Sequence, residues 1–96
     1  MNYYELDIGD YLKDTAHLSL LEHGIYGRLL DIYYTREEPI PEAQVMRLVG
    51  ARSQEERDSV EQVLREFFTL TDAGWSQKRC DAEIEKFHSY LERQSA

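Results

Sequence analysis

The sequence predicts an α+β, mostly helical fold: a winged helix, meaning a helix-turn-helix followed by a C-terminal β-hairpin wing, with one further helix closing the chain. Three observations predict it. Two stretches open with Ser-x-x-Glu capping boxes, Ser19 with Glu22 and Ser53 with Glu56, and each runs on with apolar residues at three-and-four spacing. Directly behind the second, the helical period breaks into Phe68-Thr69-Leu70, a Thr71-Asp72-Ala73-Gly74 turn and Trp75-Ser76-Gln77-Lys78, which read as a hairpin. The resulting order is helix, short strand, short helix, helix, hairpin, helix. A plain three-helix bundle carrying a hairpin is the alternative.

The chain of 96 residues makes one domain, 1–96, with an N-terminal arm at 1–16 and a closing helix at 80–95. A hydrophobic content of 42% and an aromatic content of 11% are those of a folded chain. No apolar run approaches the ~18 residues that span a bilayer, so no membrane partner is expected. The opening MNYYELDIGD carries acids and no basic residue, unlike a secretory signal. Cys80 stands alone and has no partner for an intrachain disulfide, which favours a reduced, cytoplasmic setting. Eleven basic residues against 19 acidic ones give a net charge of −8. A duplex-binding domain usually shows the opposite sign, because it replaces counterions along the phosphates.

In the arm, Gly9 permits a sharp turn, Asp10 is placed to cap one helical turn through Lys13, and Tyr3, Tyr4, Ile8, Tyr11 and Leu12 lay the arm across the domain. Leu18 is placed as a hydrophobic staple before the Ser19 cap. In the first capped helix Leu21, Ile25, Leu29 and Ile32 share one face, and Tyr26, Leu30, Tyr33 and Tyr34 fill a neighbouring stripe. An apolar surface that wide marks a central helix buried on two sides. Gly24 and Gly27 each cost about 1 kcal/mol relative to Ala in a helix interior, so close approach of another backbone is expected there. Pro39 and Pro41 limit Glu38–Ile40 to a short edge strand. Pro41 suits a first helical position, with Val45, Leu48 and Val49 inward and Gly50 as the C-terminal stop. The second capped helix, from Gln54 to about Phe68, turns Val60, Val63, Leu64 and Phe67 inward. Gly74 supplies a positive φ for a three- or four-residue hairpin loop. Ile84, Phe87 and Leu91 line the closing helix.

The segment D-Y-L-x-D-T-x-H-L-S at 10–19, followed by E-x-G-x-Y at 22–26 and R-L-L-D-x-Y-Y at 28–34, resembles the YdaU-like family of phage and prophage proteins, long filed as a domain of unknown function. The resemblance continues through P-I-P at 39–41, R-L-V-G-A-R at 47–52, F-F-x-L ending at Leu70 and G-W-x-x-K-R at 74–79, and covers about residues 3–88. Members sit in phage replication modules, often beside a helicase-loader-like protein, and many resemble replication initiators with this domain in front. The resemblance therefore implies a non-enzymatic DNA-replication role in a bacterial host cell, with replication proteins such as a helicase or its loader as partners. It carries no established catalytic residues. This chain ends at Ala96, without the linker and further segment of those members. A longer native product favours the initiator reading, and a natural stop near Ala96 favours an adaptor or mimic.

In winged-helix DNA binders the helix before the wing enters the major groove. Here that helix offers Arg57 and Arg65, alongside Glu55, Asp58 and Glu61, which repel phosphate. Lys78 and Arg79 form a local positive pair at the base of the second wing strand, and Arg47 and Arg52 flank the turn into the helix. These six cations are the candidate nucleic-acid contacts. Tyr11, Tyr26, Tyr33 and Tyr34 are candidates to stack single-stranded bases, although aromatics at helical spacing more often form core. Asp7, Asp10 and Asp14 with His17 are weighed as a cation site against plain caps and surface charges. His17, His23 and His88 with Cys80 lack zinc-site spacing, and no phosphate loop or nucleophile elbow occurs, so no metal, cofactor or catalytic residue is expected. Two function classes follow: a DNA-binding or replisome-adaptor winged helix, and an acidic protein-interaction module that mimics DNA or blocks a nucleic-acid-binding protein. For the second, Glu55, Asp58, Glu61, Phe87 and Leu91 are the interface candidates. Ile84, Phe87, Tyr90 and Leu91 are also placed to pair with a second copy as a homodimer.

Overall fold

The computed structural model describes residues 8–95, with the side chains of 8, 10 and 95 outside the description. Its elements are α1 (Ile8–Thr15), α2 (Leu20–Arg36), α3 (Val45–Val49), α4 (Gln54–Phe67), β1 (Thr69–Thr71), β2 (Gly74–Ser76) and α5 (Lys78–Ser95). It is a mostly helical fold with one two-stranded antiparallel sheet and a C-terminal helix. The expected positions of Tyr3 and Tyr4 lie outside the described residues.

α1 corrects the reading of the arm. The helix runs through Gly9 and Asp10, so neither the sharp turn nor the Asp10 cap forms there. Tyr11 does lie against the domain, its ring parallel to that of Tyr26 at 6.0 Å. Leu12 points to solvent instead. Thr15 is buried and donates its hydroxyl to the Tyr11 carbonyl at 2.6 Å, closing the helix on itself.

Both capping boxes form. Ser19 takes extended geometry and accepts from the Glu22 N–H, while the Glu22 carboxylate accepts from the Ser19 N–H. α2 is the central helix: Ile25, Tyr26, Leu29, Leu30, Tyr33 and Tyr34 are buried, and α3, α4 and α5 all pack on it. Leu18 joins that core, and the N4 residue opposite it is His23, so no apolar staple pair forms. Two expectations for α2 fail. Leu21 is 40% exposed and Leu20 92% exposed, because among the described residues no element covers the first turn. Around Gly24 and Gly27, no backbone comes close: a Cβ at either would meet nothing within 4 Å. The helix ends at Glu37, a non-glycine residue in the left-handed region at φ 59°, whose N–H bonds the Tyr33 carbonyl at 2.7 Å.

The strand expected around Ile40 is a single bridge. Ile40, fully buried, exchanges two backbone hydrogen bonds with Trp75 at 2.9 and 2.8 Å. This bridge explains Gly74 more fully than the turn alone. Its φ is +126°, and a Cβ there would lie 2.3 Å from the Ile40 carbonyl oxygen. The loop is also tighter than expected: Thr71 pairs with Gly74, leaving only Asp72 and Ala73 between the strands. The Thr71 hydroxyl braces it by donating to the Gly74 carbonyl at 2.9 Å and accepting from the Ala73 N–H at 3.2 Å.

Pro41 starts a turn and not the helix, since Gln44 N–H bonds the Pro41 carbonyl and α3 begins only at Val45. So short a helix buries one face, Val45 and Val49 at i and i+4, and Leu48 is rotated outward to 38% exposure. Gly50 stops it at φ 84°. In α4, Val60, Val63 and Leu64 are buried as expected. Phe67 is only half-buried, stacked on Tyr26 at 4.4 Å. Phe68 enters the core in its place, because the chain leaves the helix extended there at φ −124° and ψ 165°. α5 starts at Lys78, two residues earlier than expected, with the Asp81 N–H bonded to the Gln77 carbonyl. Cys80 and Ile84 are buried, Phe87 is half-buried, and Tyr90 and Leu91 are exposed.

Two outcomes are expected from this packing. Gly74→Ala puts a side chain into a disfavoured φ and onto a backbone oxygen, and should lower unfolding stability by at least about 2 kcal/mol in urea titrations; an unchanged midpoint would remove the Ile40 contact as the reason for glycine. Backbone N–H groups of Ser53 and Arg52 hold the Glu56 carboxyl below its ordinary value of 4.5, so its contribution is complete above that pH and drains as pH falls through the lowered value. Glu56→Gln should therefore flatten the fall in urea midpoint as pH drops below 4.5.

Candidate interaction surfaces

The outward face of α4 is set by its amphipathic period. With Val60, Val63 and Leu64 turned inward, Glu55, Asp58, Glu61 and Glu66 point out together with Arg57 and Arg65. Arg65 lies 3.8 Å from Glu61, so one of the two cations is already paired. Gln54 donates to Asp58 at 2.8 Å, and His17 reaches across from the α1–α2 loop to Glu66. Asp58, Glu61, Gln62, Arg65 and Glu66 line a shallow depression on this face. The interface candidates Glu55, Asp58 and Glu61 thus share one exposed acidic strip.

The basic candidates do not share a strip. Arg47 is the middle residue of α3, on the segment that leads into α4, and Arg52 directly precedes the Ser53 cap at the N-terminal end of α4. Lys78 and Arg79 sit in the first turn of α5, not at the base of a wing strand. That turn is tied to the other end of α4, since the Gln77 side-chain amide donates to the Phe67 carbonyl at 3.2 Å. At 1.5 Å per residue, α4 separates the two pairs by about 20 Å. Arg79 also lies 3.7 Å from Asp14 of α1.

Arg28 was missed by the sequence reading. It is exposed on α2, and its Nη1 donates to the Val49 carbonyl at 3.1 Å, beside the Gly50 turn. The available signal was its position four residues after Gly24, the one Arg or Lys in α2 before Arg36. Arg28 helps to line a cleft of about 290 Å³ between the first half of α2 and the α3–α4 turn, floored by Ile25, Val49 and Val60 and edged by Leu20, Leu21 and Gly24. Glu56 lines it too, but its carboxylate is spent on the Arg52 and Ser53 N–H groups.

The tyrosines are core. Tyr26, Tyr33 and Tyr34 are buried, and Tyr11 is half-buried against Tyr26, so none of these rings offers an open face for bases. Tyr33 donates to Asp81 at 2.5 Å and accepts from the Gln77 N–H at 3.3 Å. Burial, and then the Asp81 contact, push its hydroxyl pKa up. Cys80 donates to the Gln77 side-chain oxygen at 2.7 Å, and burial pushes its thiol up to about 11, which suppresses the thiolate a nucleophile would need. Among the described residues no group of His, Cys, Asp or Glu is placed to hold a metal. Asp14 faces Arg79, His17 faces Glu66 and His88 faces Glu37. Asp7 and the Asp10 side chain lie outside the described residues. On α5, Phe87 is half-buried and packs edge-on against His88, with Leu91 exposed beyond it. No described helix is long and apolar enough to cross a membrane.

A family model described as "Protein of unknown function (DUF1376)" matches residues 2–85. The chain is also similar to the uncharacterized protein YdaU of Escherichia coli (strain K12), at 34% identity over 94 residues. That match covers 98% of this chain and 33% of the relative, so the chain spans about a third of the curated relative's length. No solved structure matches. The extent of the family match and the identity to this relative together establish that the chain belongs to the YdaU-like, DUF1376 family of proteins of unknown function.

Proposed function

We propose that the chain is a non-enzymatic winged-helix adaptor domain that joins proteins of a phage or prophage replication module in the host cytoplasm. Support for the winged helix comes from the order of elements. α2, the bridging Ile40, α3, α4 and the β1–β2 hairpin follow the helix, strand, helix, helix, wing sequence, and Ile40 pairs with the second wing strand. Support for the replication setting comes from the family resemblance.

The observation that carries the adaptor over a DNA reader is the charge on α4. A recognition helix entering the major groove brings its outer face within a few ångströms of two phosphate rows. Here that face presents Glu55, Asp58, Glu61 and Glu66 with Arg57 and Arg65, and the other four candidate cations stand beyond its two ends. Repulsion by four carboxylates outweighs Arg57 and a partly neutralised Arg65. The acids suit a protein partner instead.

The reading is tested by fluorescence anisotropy on duplex, forked and single-stranded probes, with sedimentation against a replicative helicase and its loader. Expected are no salt-sensitive DNA binding, no change on Lys78→Ala/Arg79→Ala, and a complex with one of the two proteins. Duplex affinity that falls steeply with salt and is lost in that double variant would return the domain to the DNA-binding class.

A further inference from the structure

We propose that the outer edge of the hairpin is a self-association site: two copies of the chain pair β1 with β1, antiparallel about Leu70, in a weak and reversible dimer. The inference goes beyond the adaptor reading and does not depend on it.

The directions of the backbone hydrogen bonds identify the site. In the hairpin register Leu70 stands opposite Trp75, between the pairs Thr69–Ser76 and Thr71–Gly74. Trp75 commits both its N–H and its carbonyl to Ile40, at 2.8 and 2.9 Å. Leu70 and Trp75 are therefore a non-hydrogen-bonded pair, and the N–H and carbonyl of Leu70 point away from β2, along the free side of β1. Among the described residues no strand lies on that side: the sheet is β1 and β2 alone, Ile40 occupies the β2 side, and β1 is exposed throughout, Leu70 by 45%. The two sides of the hairpin are guarded differently. Ile40 sits between Pro39 and Pro41, which stop further pairing there. β1 reads Thr-Leu-Thr, with none of the lysines, prolines or bulges that keep an open edge from pairing.

Symmetry and charge choose the occupant. An added strand must offer Leu70 one carbonyl and one N–H, set an apolar side chain beside it, and carry strand-forming residues on either side. A second β1 offers all of these. About a two-fold axis at Leu70, each Leu70 exchanges two backbone hydrogen bonds with its counterpart, and Thr69 stands opposite Thr71 of the other copy. No charges oppose each other along this edge, which matters in a chain of net charge −8. The same register sets Asp72 opposite Phe68 of the other copy, next to the last turn of α4. Arg65 is the basic residue of that turn, and its Glu66 is already faced by His17. An edge this short buries far less than the roughly 1,200 Å² of a stable interface, so the dimer forms at high chain concentration and dissociates on dilution.

Sedimentation equilibrium and NMR amide exchange on the whole chain, from about 20 μM to about 1 mM, test the site. Expected are a monomer–dimer equilibrium and a Leu70 N–H whose exchange slows about threefold or more over that range, while Thr69 and Thr71, bonded to β2 in either state, change less. Leu70→Pro removes the outward donor without touching a bond to β2, and should leave a folded monomer by circular dichroism. Leu70→Lys and Leu70→Glu should each be monomeric alone, because like charges meet on the axis, and should associate when mixed. That mixing result decides the matter if Leu70→Pro disturbs the hairpin. The site is overturned by a monomer at about 1 mM, by a Leu70 amide left unprotected in the dimer, or by a mixture that does not associate. A dimer that survives Leu70→Lys would move the contact elsewhere, with Phe87, Tyr90 and Leu91 of α5 next in line. A Leu70 amide protected only by an added helicase or loader would give the edge to a different chain, keep the adaptor reading and end the self-association.

Discussion

The fold depends on one buried amide. Gln77 sits where the hairpin turns into α5, and its polar groups have partners on three elements. Its N–H reaches the Tyr33 hydroxyl at 3.3 Å, its side-chain amide reaches the Tyr26 hydroxyl at 3.4 Å and the Phe67 carbonyl at 3.2 Å, and its side-chain oxygen accepts from Cys80 at 2.7 Å. A buried amide left unpaired costs about 1–3 kcal/mol per group, so the arrangement that satisfies all of them is strongly selected over its neighbours. That arrangement places the end of α4, the wing and the start of α5 on the same two turns of α2. Burial raises the Tyr33 hydroxyl and Cys80 thiol pKa values, with Asp81 adding to the first, and both groups stay protonated across the physiological range.

With that end of the molecule locked, the placement of charge follows. Gln77 holds Lys78 and Arg79 at the C-terminal end of α4, whereas the Ser53 capping box holds Arg52 at its N-terminal end. The helix between them is a rigid rod about 20 Å long. A single phosphate path along α4 would have to cross its acidic strip to join the two pairs. The geometry thus keeps the two pairs apart, one engaged with Asp14 through Arg79, the other on the segment that leads into the Ser53 cap.

What the sequence revealed was local chemistry. Both capping boxes, the Gly50 stop, the α4 core face and the hairpin position depend on contacts within a few residues, and each forms as read. The errors concern what covers what. Leu21 and Leu48 have the right spacing to be inward, but no described element lies over those turns. Phe67 and Phe68 exchange roles because the helix ends between them, a boundary that periodicity cannot resolve to one residue. Gln77 looked like an ordinary strand residue, since a lone Gln in a hairpin carries no pattern that announces partners on α2, α4 and α5. For the candidate surfaces, residue types were readable and grouping was only partly so: the acids of α4 share a face by period alone, while Arg28 meets the Val49 carbonyl only through the packing of α3 on α2.

The two glycines of α2 connect these points. In a helix interior each costs about 1 kcal/mol relative to alanine, a cost normally offset where another backbone comes close. Neither is offset that way here, because open space surrounds both Cβ positions. At Gly24 the missing side chain has a definite effect on shape: any larger residue would project into the cleft that Leu21, Ile25 and Arg28 define. The domain therefore carries a less stable helix where α2 borders the cleft, beside the exposed Leu20 and Leu21. Stability of the fold does not account for that combination, since alanine would serve the helix better and a charged residue would serve solubility better.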